Sequence, residues 1–146
     1  MHMKKGNGFT VIELVVAITI VCLLVAVALA SYQDHMTRKA RAQARNALAD
    51  AAQWLRLQHT QTGTYLVKTL PIVQSPDRGE AAYRISLAQL PVRASDPKIL
   101  FPATSAQTYT LQAVPVNEDV CGTLLLDSAG RTGVVGAGAG VADCWK

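Results

Sequence analysis

From Leu14 to Ala30 every position except Thr19 is apolar, and no proline or glycine interrupts the run. Read as a helix from Phe9, this stretch reaches about 33 Å, against a hydrocarbon core of roughly 30 Å. The pattern changes at Ser31 without a break. Met36, Ala40, Ala44, Ala47, Leu48, Ala51 and Leu55 recur in steps of one, three and four, the stripe of an amphipathic helix. Alanine dominates that stripe, which favours helix and lets another backbone approach closely. Gly63, after His59-Thr-Gln-Thr, is the expected stop. Residues 9–30 and 31–62 therefore read as one helix of about 50 residues, far longer than a compact domain of this size needs.

Beyond it the period shortens. Residues 63–82 hold Pro71, Pro76 and Gly79 with no clear repeat and read as a loop. Strand-like runs follow at Tyr83 to Leu90, Thr108 to Val116 and Gly122 to Ser128. In the second, Tyr109, Leu111 and Ala113 alternate with Thr108, Thr110 and Gln112, the period of a half-buried strand. Proline-bearing loops separate the runs, so residues 83–146 read as an antiparallel meander packed on the helix, an α+β arrangement. The tail GVVGAGAGVADCWK reads as too glycine-rich for a regular element, and as wrapping back to the sheet.

Charge refines this picture. The chain carries +4 overall, but residues 31–60 alone hold five basic and two acidic side chains, and residues 61–146 hold seven of each. The head is thus neutral, and composition gives nucleic acid no support as a partner. Arg38, Lys39, Arg41 and Arg45 read as solvated or facing anionic lipid. Arg78, Arg84, Arg93, Lys98, Arg131 and Lys146 read as scattered surface charges rather than a DNA groove. Glu118, Asp119, Asp127 and Asp143 match no EF-hand spacing and read as turn or surface residues, so no metal is expected. His2, His35 and His59 are isolated, and HExxH, GxSxG, P-loop and Rossmann patterns are missing. The expectation is a structural and interaction protein with no catalytic residues and no cofactor.

Three cysteines divide by context. Cys22 lies in the apolar run and reads as a small hydrophobe. Cys121 and Cys144 bracket the tail without metal-site spacing, and in an oxidising compartment they are a disulfide candidate. The remaining oddity is Glu13, an acid placed almost at the start of a lipid-length run. A carboxylate at a bilayer centre costs about 3 kcal/mol and less near an interface, so its place near the helix start is tolerable. Residues 1–8, MHMKKGNG, read as a basic targeting leader. A cut between Gly8 and Phe9 would leave a new amine four residues from that carboxylate, available to it or to a displaced neighbour.

The basic leader ending in Gly8, the aromatic Phe9, Glu13 and the apolar stem running into Ser31-Tyr-Gln-Asp-His resemble the class III signal and first helix of type IV pilins. The likeness is strong over residues 4–60. It returns at CGTLLLDSAGRTG and ADCW, which resemble the tail of Gram-negative minor pilins, and holds only in outline over residues 64–120. The resemblance implies a ladle-shaped type IV pilin fold. It implies cleavage by prepilin peptidase after Gly8 and N-methylation of Phe9. It implies that Glu13 recruits and registers subunits, and that a Cys121–Cys144 disulfide bounds the D-region. Its partners would be other major and minor pilins, prepilin peptidase and the inner-membrane assembly platform. The subunit would wait in membrane lipid, single-pass with its head in the periplasm, before joining a surface pilus that serves twitching motility, adhesion or DNA uptake. Many major pilins break the stem with glycine and proline. Cys22 and Ala30 stand here instead, which favours a minor subunit.

Two other readings use the same residues. A type II secretion pseudopilin shares the assembly logic. An ordinary secretory signal, with Ala28-Leu29-Ala30 as the cleavage site, would release a periplasmic binding protein starting at Ser31. Glu13 and the helical period running through that site argue against the second. A count of flanking basic residues would place the head in the cytoplasm. The processing motif and paired cysteines require export and outweigh it.

Overall fold

The computed structural model describes residues 9–136 and 138–146. The leader assigned to residues 1–8, Gly8 included, lies outside them. The described residues divide into two compact units, with the boundary between Met36 and Thr37.

In the first unit, Phe9 and Thr10 precede the start of α1, a helix that spans Val11–Thr62. Its side chains here are almost all apolar and exposed; Leu24, for example, keeps 66% of its surface. An isolated soluble domain would not leave such a row uncovered. The helix is long and apolar enough to cross a membrane, by length and composition. Met36, expected on the buried stripe, is 42% exposed.

In the second unit the α1 stripe is buried as its spacing predicts: Ala44, Leu48, Ala51 and Leu55 are fully enclosed, and Ala52 joins them. The helix ends where Gly63 takes φ +73°, a conformation that other residues adopt only under strain. The stripe packs on Tyr83, Ile85, Leu111, Ala113, Leu124 and Val134, which point from one face of a sheet.

That sheet has five strands: β1 (Gln74–Ser75), β2 (Tyr83–Leu87), β5 (Thr110–Pro115), β6 (Thr123–Asp127) and β7 (Thr132–Val135), in that order across the sheet. Every neighbouring pair is antiparallel. The three strand-like runs fold as β2, β5 and β6, the first shortened at its C-terminal end and the other two at both ends. Two segments differ from expectation. β1 lies inside the stretch read as a loop, where two residues pair with Tyr83 and Arg84. The glycine-rich tail, read as irregular, supplies β7 and the short helix α2 (Val141–Cys144). Strand formation there follows from packing: Val134 is buried in the core while Gly133 leaves room on the opposite face.

The connection from β2 to β5 carries a small hairpin, β3 (Val92–Arg93) with β4 (Leu100–Phe101). It covers the far face of the sheet near β6 and β7. Phe101 and Ala94 pack with Leu125, and the Ser95 N–H donates to the Val134 carbonyl at 2.7 Å. A Cβ built on Gly133 would come within 2.5 Å of the Phe101 ring, so this seat exists only because residue 133 is glycine.

Candidate functional site

The first candidate is the helix start. Thr10, Val11, Ile12 and Glu13 spell the T-x-x-E pattern of a capping box, a signal the sequence carried that had not been read. The structure builds it loosely. The Glu13 N–H donates to Thr10 Oγ1 at 3.4 Å, and the Thr10 N–H and hydroxyl donate to Glu13 Oε2 at 3.5 Å each. Two long bonds to an exposed carboxylate leave it free to exchange partners. Phe9, beside it, is also exposed.

The second candidate is the tail. Cys121 and Cys144 are joined by a disulfide, Cα to Cα 5.7 Å, closing a segment that contains β6, β7 and α2. Two arginines one turn apart on α1 hold its two ends. Arg41 Nη2 donates to Asp119 Oδ1 at 2.7 Å, and Arg45 Nη1 donates to the Cys144 carbonyl at 3.4 Å. Asp119 Oδ1 also accepts the Cys121 N–H at 2.7 Å, while its Oδ2 accepts the Tyr83 hydroxyl. The Trp145 indole N–H donates to the Gly133 carbonyl at 3.0 Å and fastens the tail to β7.

This corrects the reading of Arg41 and Arg45 as solvated or lipid-facing. Arg41 keeps 13% of its side-chain surface and Asp119 5%. Burial works to raise the Asp119 pKa, but hydrogen bonds from Arg41, Tyr83 and the Cys121 N–H outweigh it and hold the carboxyl below its ordinary value. Burial, reinforced by the Asp119 charge, drives the Tyr83 hydroxyl strongly upward. Tyr83 therefore stays a donor and Asp119 an acceptor.

Of the two roles expected for Asp119 and Asp127, turn or surface, both take the turn role and both side chains are buried. Asp127 is 1% exposed and organises the β6–β7 turn, accepting the N–H groups of Ala129 and Arg131 at 3.0 and 2.8 Å and Arg131 Nε at 2.6 Å. Among the described residues no group of three or more His, Cys, Asp or Glu is placed to hold a metal ion.

The six scattered cations differ in their surroundings. Arg78 lies beside Asp77, Lys146 beside Asp143, and Arg131 beside Asp127. Arg93 on β3 and Lys98 in the following turn belong to the hairpin, where Arg131 also stands 5.4 Å over the Phe101 ring. Arg84 is exposed on β2. Arg93 and Lys98 thus lie on one hairpin, and Arg131 stacks on its Phe101 ring.

With stem and head described, the comparisons decide the family. Residues 30–125 match the family described as "Type IV minor pilin ComP, DNA uptake sequence receptor", and residues 3–29 match the prokaryotic N-terminal methylation motif. The chain belongs to this family of type IV minor pilins. Fimbrial protein EcpB of Eikenella corrodens is 53% identical over 36 residues, which is 25% of this chain and 23% of that protein's length. The minor pilin PilV of Neisseria meningitidis has the same fold, with TM-score 0.51 and 19% identity, covering 73% of this chain and 94% of that one. A type IV pilin of Shewanella oneidensis aligns with TM-score 0.39 and 26% identity, over 66% of this chain and 89% of its own. Among the competing readings, minor pilin prevails: a structural protein whose long helix packs on an antiparallel sheet.

Proposed function

We propose that this minor pilin is cut between Gly8 and Phe9 by prepilin peptidase, is methylated at the new amine, and enters a type IV pilus through its stem. Before assembly it sits in the inner membrane with its head in the periplasm, drawing on the assembly platform and other pilins as partners. The observation that carries this reading is the loosely capped Glu13 at the head of a helix whose apolar surface is uncovered. In a bundle of such stems, an unmatched carboxylate selects the neighbour that brings it a positive charge, and the Phe9 amine of an adjoining subunit is that charge.

Glu13→Gln is the informative substitution. Glutamine can serve a capping box as well as glutamate, so the helix start survives while the charge is lost. Incorporation into sheared pili should fall at least tenfold. Wild-type incorporation would reduce Glu13 to a cap. Mass spectrometry of the mature chain supplies the companion check, because retained Gly8 would remove the amine altogether.

A second reading concerns the head, and the family description favours it: a contact with DNA. Because residues 61–146 balance their charges, such contact would rest on local cations, and Arg93 and Lys98 on the hairpin, Arg84 on β2 and Lys68 are exposed and outside the ion pairs described above. Gel-shift titration of the full chain against salt, with duplexes of varied sequence, tests it. Binding that vanishes equally for all sequences near physiological salt would leave only nonspecific attraction.

A further inference from the structure

Between α1 and the β1 turn lies a cavity of about 330 Å³ that neither the stem nor the tail uses. Gln43, Asn46 and Asp50 line it from α1, and Gln74, Ser75 and Asp77 from β1 and the turn that follows. Both walls lie within the second compact unit. The helical wall is one face, because positions 43, 46 and 50 are spaced by three and four. Among the described residues no lysine or arginine lines the cavity, so each wall carries a carboxylate with no cation between them.

A buried hydroxyl faces the same space. Ser75 pairs with Tyr83, and directly opposed residues of neighbouring strands share a face of the sheet. Tyr83 belongs to the core packed on α1, so the Ser75 side chain is directed toward α1 as well. Ser75 keeps only 2% of its surface, yet its hydroxyl makes no hydrogen bond among the described residues. Such a group is costly unless something bound supplies its partner. Gln43, Asn46 and Asp50 likewise enter no hydrogen bond or ion pair there. Gln74 commits its Nε2 to the Pro76 and Gly79 carbonyls, at 3.1 and 3.3 Å, which leaves its Oε1 to accept. Asp77 has only Arg78, at 4.0 Å, and both of those side chains are largely exposed.

We propose that this cavity binds one hard divalent cation, calcium by preference, between Asp50 and Asp77. Every donor that the six residues offer to a cation is an oxygen: carboxylate, amide carbonyl or hydroxyl. Imidazole and thiolate, which select zinc and copper, are not among them. Calcium accepts six to eight such oxygens in flexible geometry, water included, whereas magnesium demands a near-ideal octahedron. Two acids are fewer than a metal cluster usually holds, so the amide and hydroxyl oxygens complete the set. A site of that charge belongs to the weak class, with Kd on the order of 10⁻⁴ to 10⁻³ M.

The ion would join two elements that lack a direct tie. Among the described residues no hydrogen bond runs from α1 to residues 72–79. β1 is two residues long, and the Val73 and Ser75 carbonyls beside it accept the Ile85 and Ala82 N–H groups. A cation bridging Asp50 to Asp77 would hold this short edge against the helix.

The test is a calcium chloride titration of the processed full-length chain in nonionic detergent, at about 0.15 M sodium chloride, followed by its amide resonances. Saturable shifts should centre on residues 43–50 and 72–77. Asp50→Asn and Asp77→Asn should each weaken binding at least tenfold, and Ser75→Ala at least twofold. Arg78→Gln should tighten it severalfold, because a competing cation is removed. Glu118→Gln, which alters an exposed acid outside the cavity, should leave binding unchanged. Exchange of the Ala82 and Ile85 amides should slow severalfold when calcium is bound. No saturable shift below about 10 mM, or shifts centred on other acids, would overturn the proposal. So would equal weakening by Glu118→Gln, or magnesium binding as tightly as calcium, since diffuse charge attraction would then account for both. Arg78 is exposed, so its variant still reads the site if Ser75→Ala fails to fold, and unchanged affinity there counts against Asp77 as a ligand.

Discussion

Arg41 and Asp119 stand 78 positions apart in sequence and 2.7 Å apart in space, and their bond fixes the start of the disulfide-closed tail to α1. Both side chains are largely enclosed, and Asp119 has a second donor in Tyr83 and a third in the Cys121 N–H. Removing Arg41 would leave a buried carboxylate with only neutral donors. Arg41→Met should therefore destabilise the protein by about 3 kcal/mol, whereas replacing Arg41 and Asp119 together by apolar residues should cost less. Denaturant titration of the single and double variants measures the coupling.

The same carboxylate sets an acid limit. Its pKa is lower in the folded protein than the unfolded value near 3.8, so the unfolded chain binds the proton more readily. Stability from this group is then fully present above about pH 4 and is lost as pH falls through the folded pKa. Asp119→Asn should flatten the decline below pH 4 while lowering stability at neutral pH. Thermal melts across that range, against wild type, give both readings.

Much of this architecture was visible in the pattern of residues, and what escaped has physical reasons. The helix stripe, the stop at Gly63 and three strands follow from periods of 3.6 and two, which local sequence encodes directly. β1 was hidden because two residues between Val73 and Pro76 give no period, and only pairing with β2 makes them a strand. β7 was hidden because Gly133, a poor strand residue alone, is required by the Phe101 ring lying against it. Arg41 and Arg45 misled because a cation after an apolar run usually faces water or lipid. Their acceptors, Asp119 and the Cys144 carbonyl, are long-range partners that no local window contains. The capping box at Thr10 and Glu13 was legible and shares its glutamate with the proposed assembly contact.

The disulfide should matter most for the elements it encloses. Cys121 and Cys144 are 23 residues apart, and a loop of that size stabilises by about 3 kcal/mol in the chain-entropy view. Cys144→Ser together with Cys121→Ser should lower stability by that order. Amide exchange should rise first in β7 and α2, which the bond tethers, and last in β2 and β5. Uniform acceleration through all strands would instead mean that the bond stabilises the whole head as one unit.

Gly133 offers a test of the hairpin seat. Adding one methyl there sets it against the Phe101 ring, which is fully buried and has little room to turn. Gly133→Ala should cost about 1–3 kcal/mol, the range of an overpacked core. Trimming the ring by Phe101→Leu in the same chain should recover part of that loss, although Phe101→Leu alone is destabilising. A simple sum of the two losses would show that residue 133 matters for backbone freedom rather than for the ring.

If the hairpin approaches DNA, its cations should appear in the salt dependence before they appear in sequence preference. Each phosphate contact contributes about 0.9 to the slope of log affinity against log salt. Arg93→Gln with Lys98→Gln should therefore lower that slope by roughly two if both cations reach phosphates. Lys146→Gln, whose ammonium is occupied by Asp143 at 2.7 Å, should change it by less than half as much per charge. Arg131 needs separate treatment, because its guanidinium also holds the buried Asp127, so its loss would confound binding with folding. An unchanged slope in the double variant would move any DNA contact away from the hairpin, leaving Arg84 on β2 and Lys68 as the next exposed cations to replace.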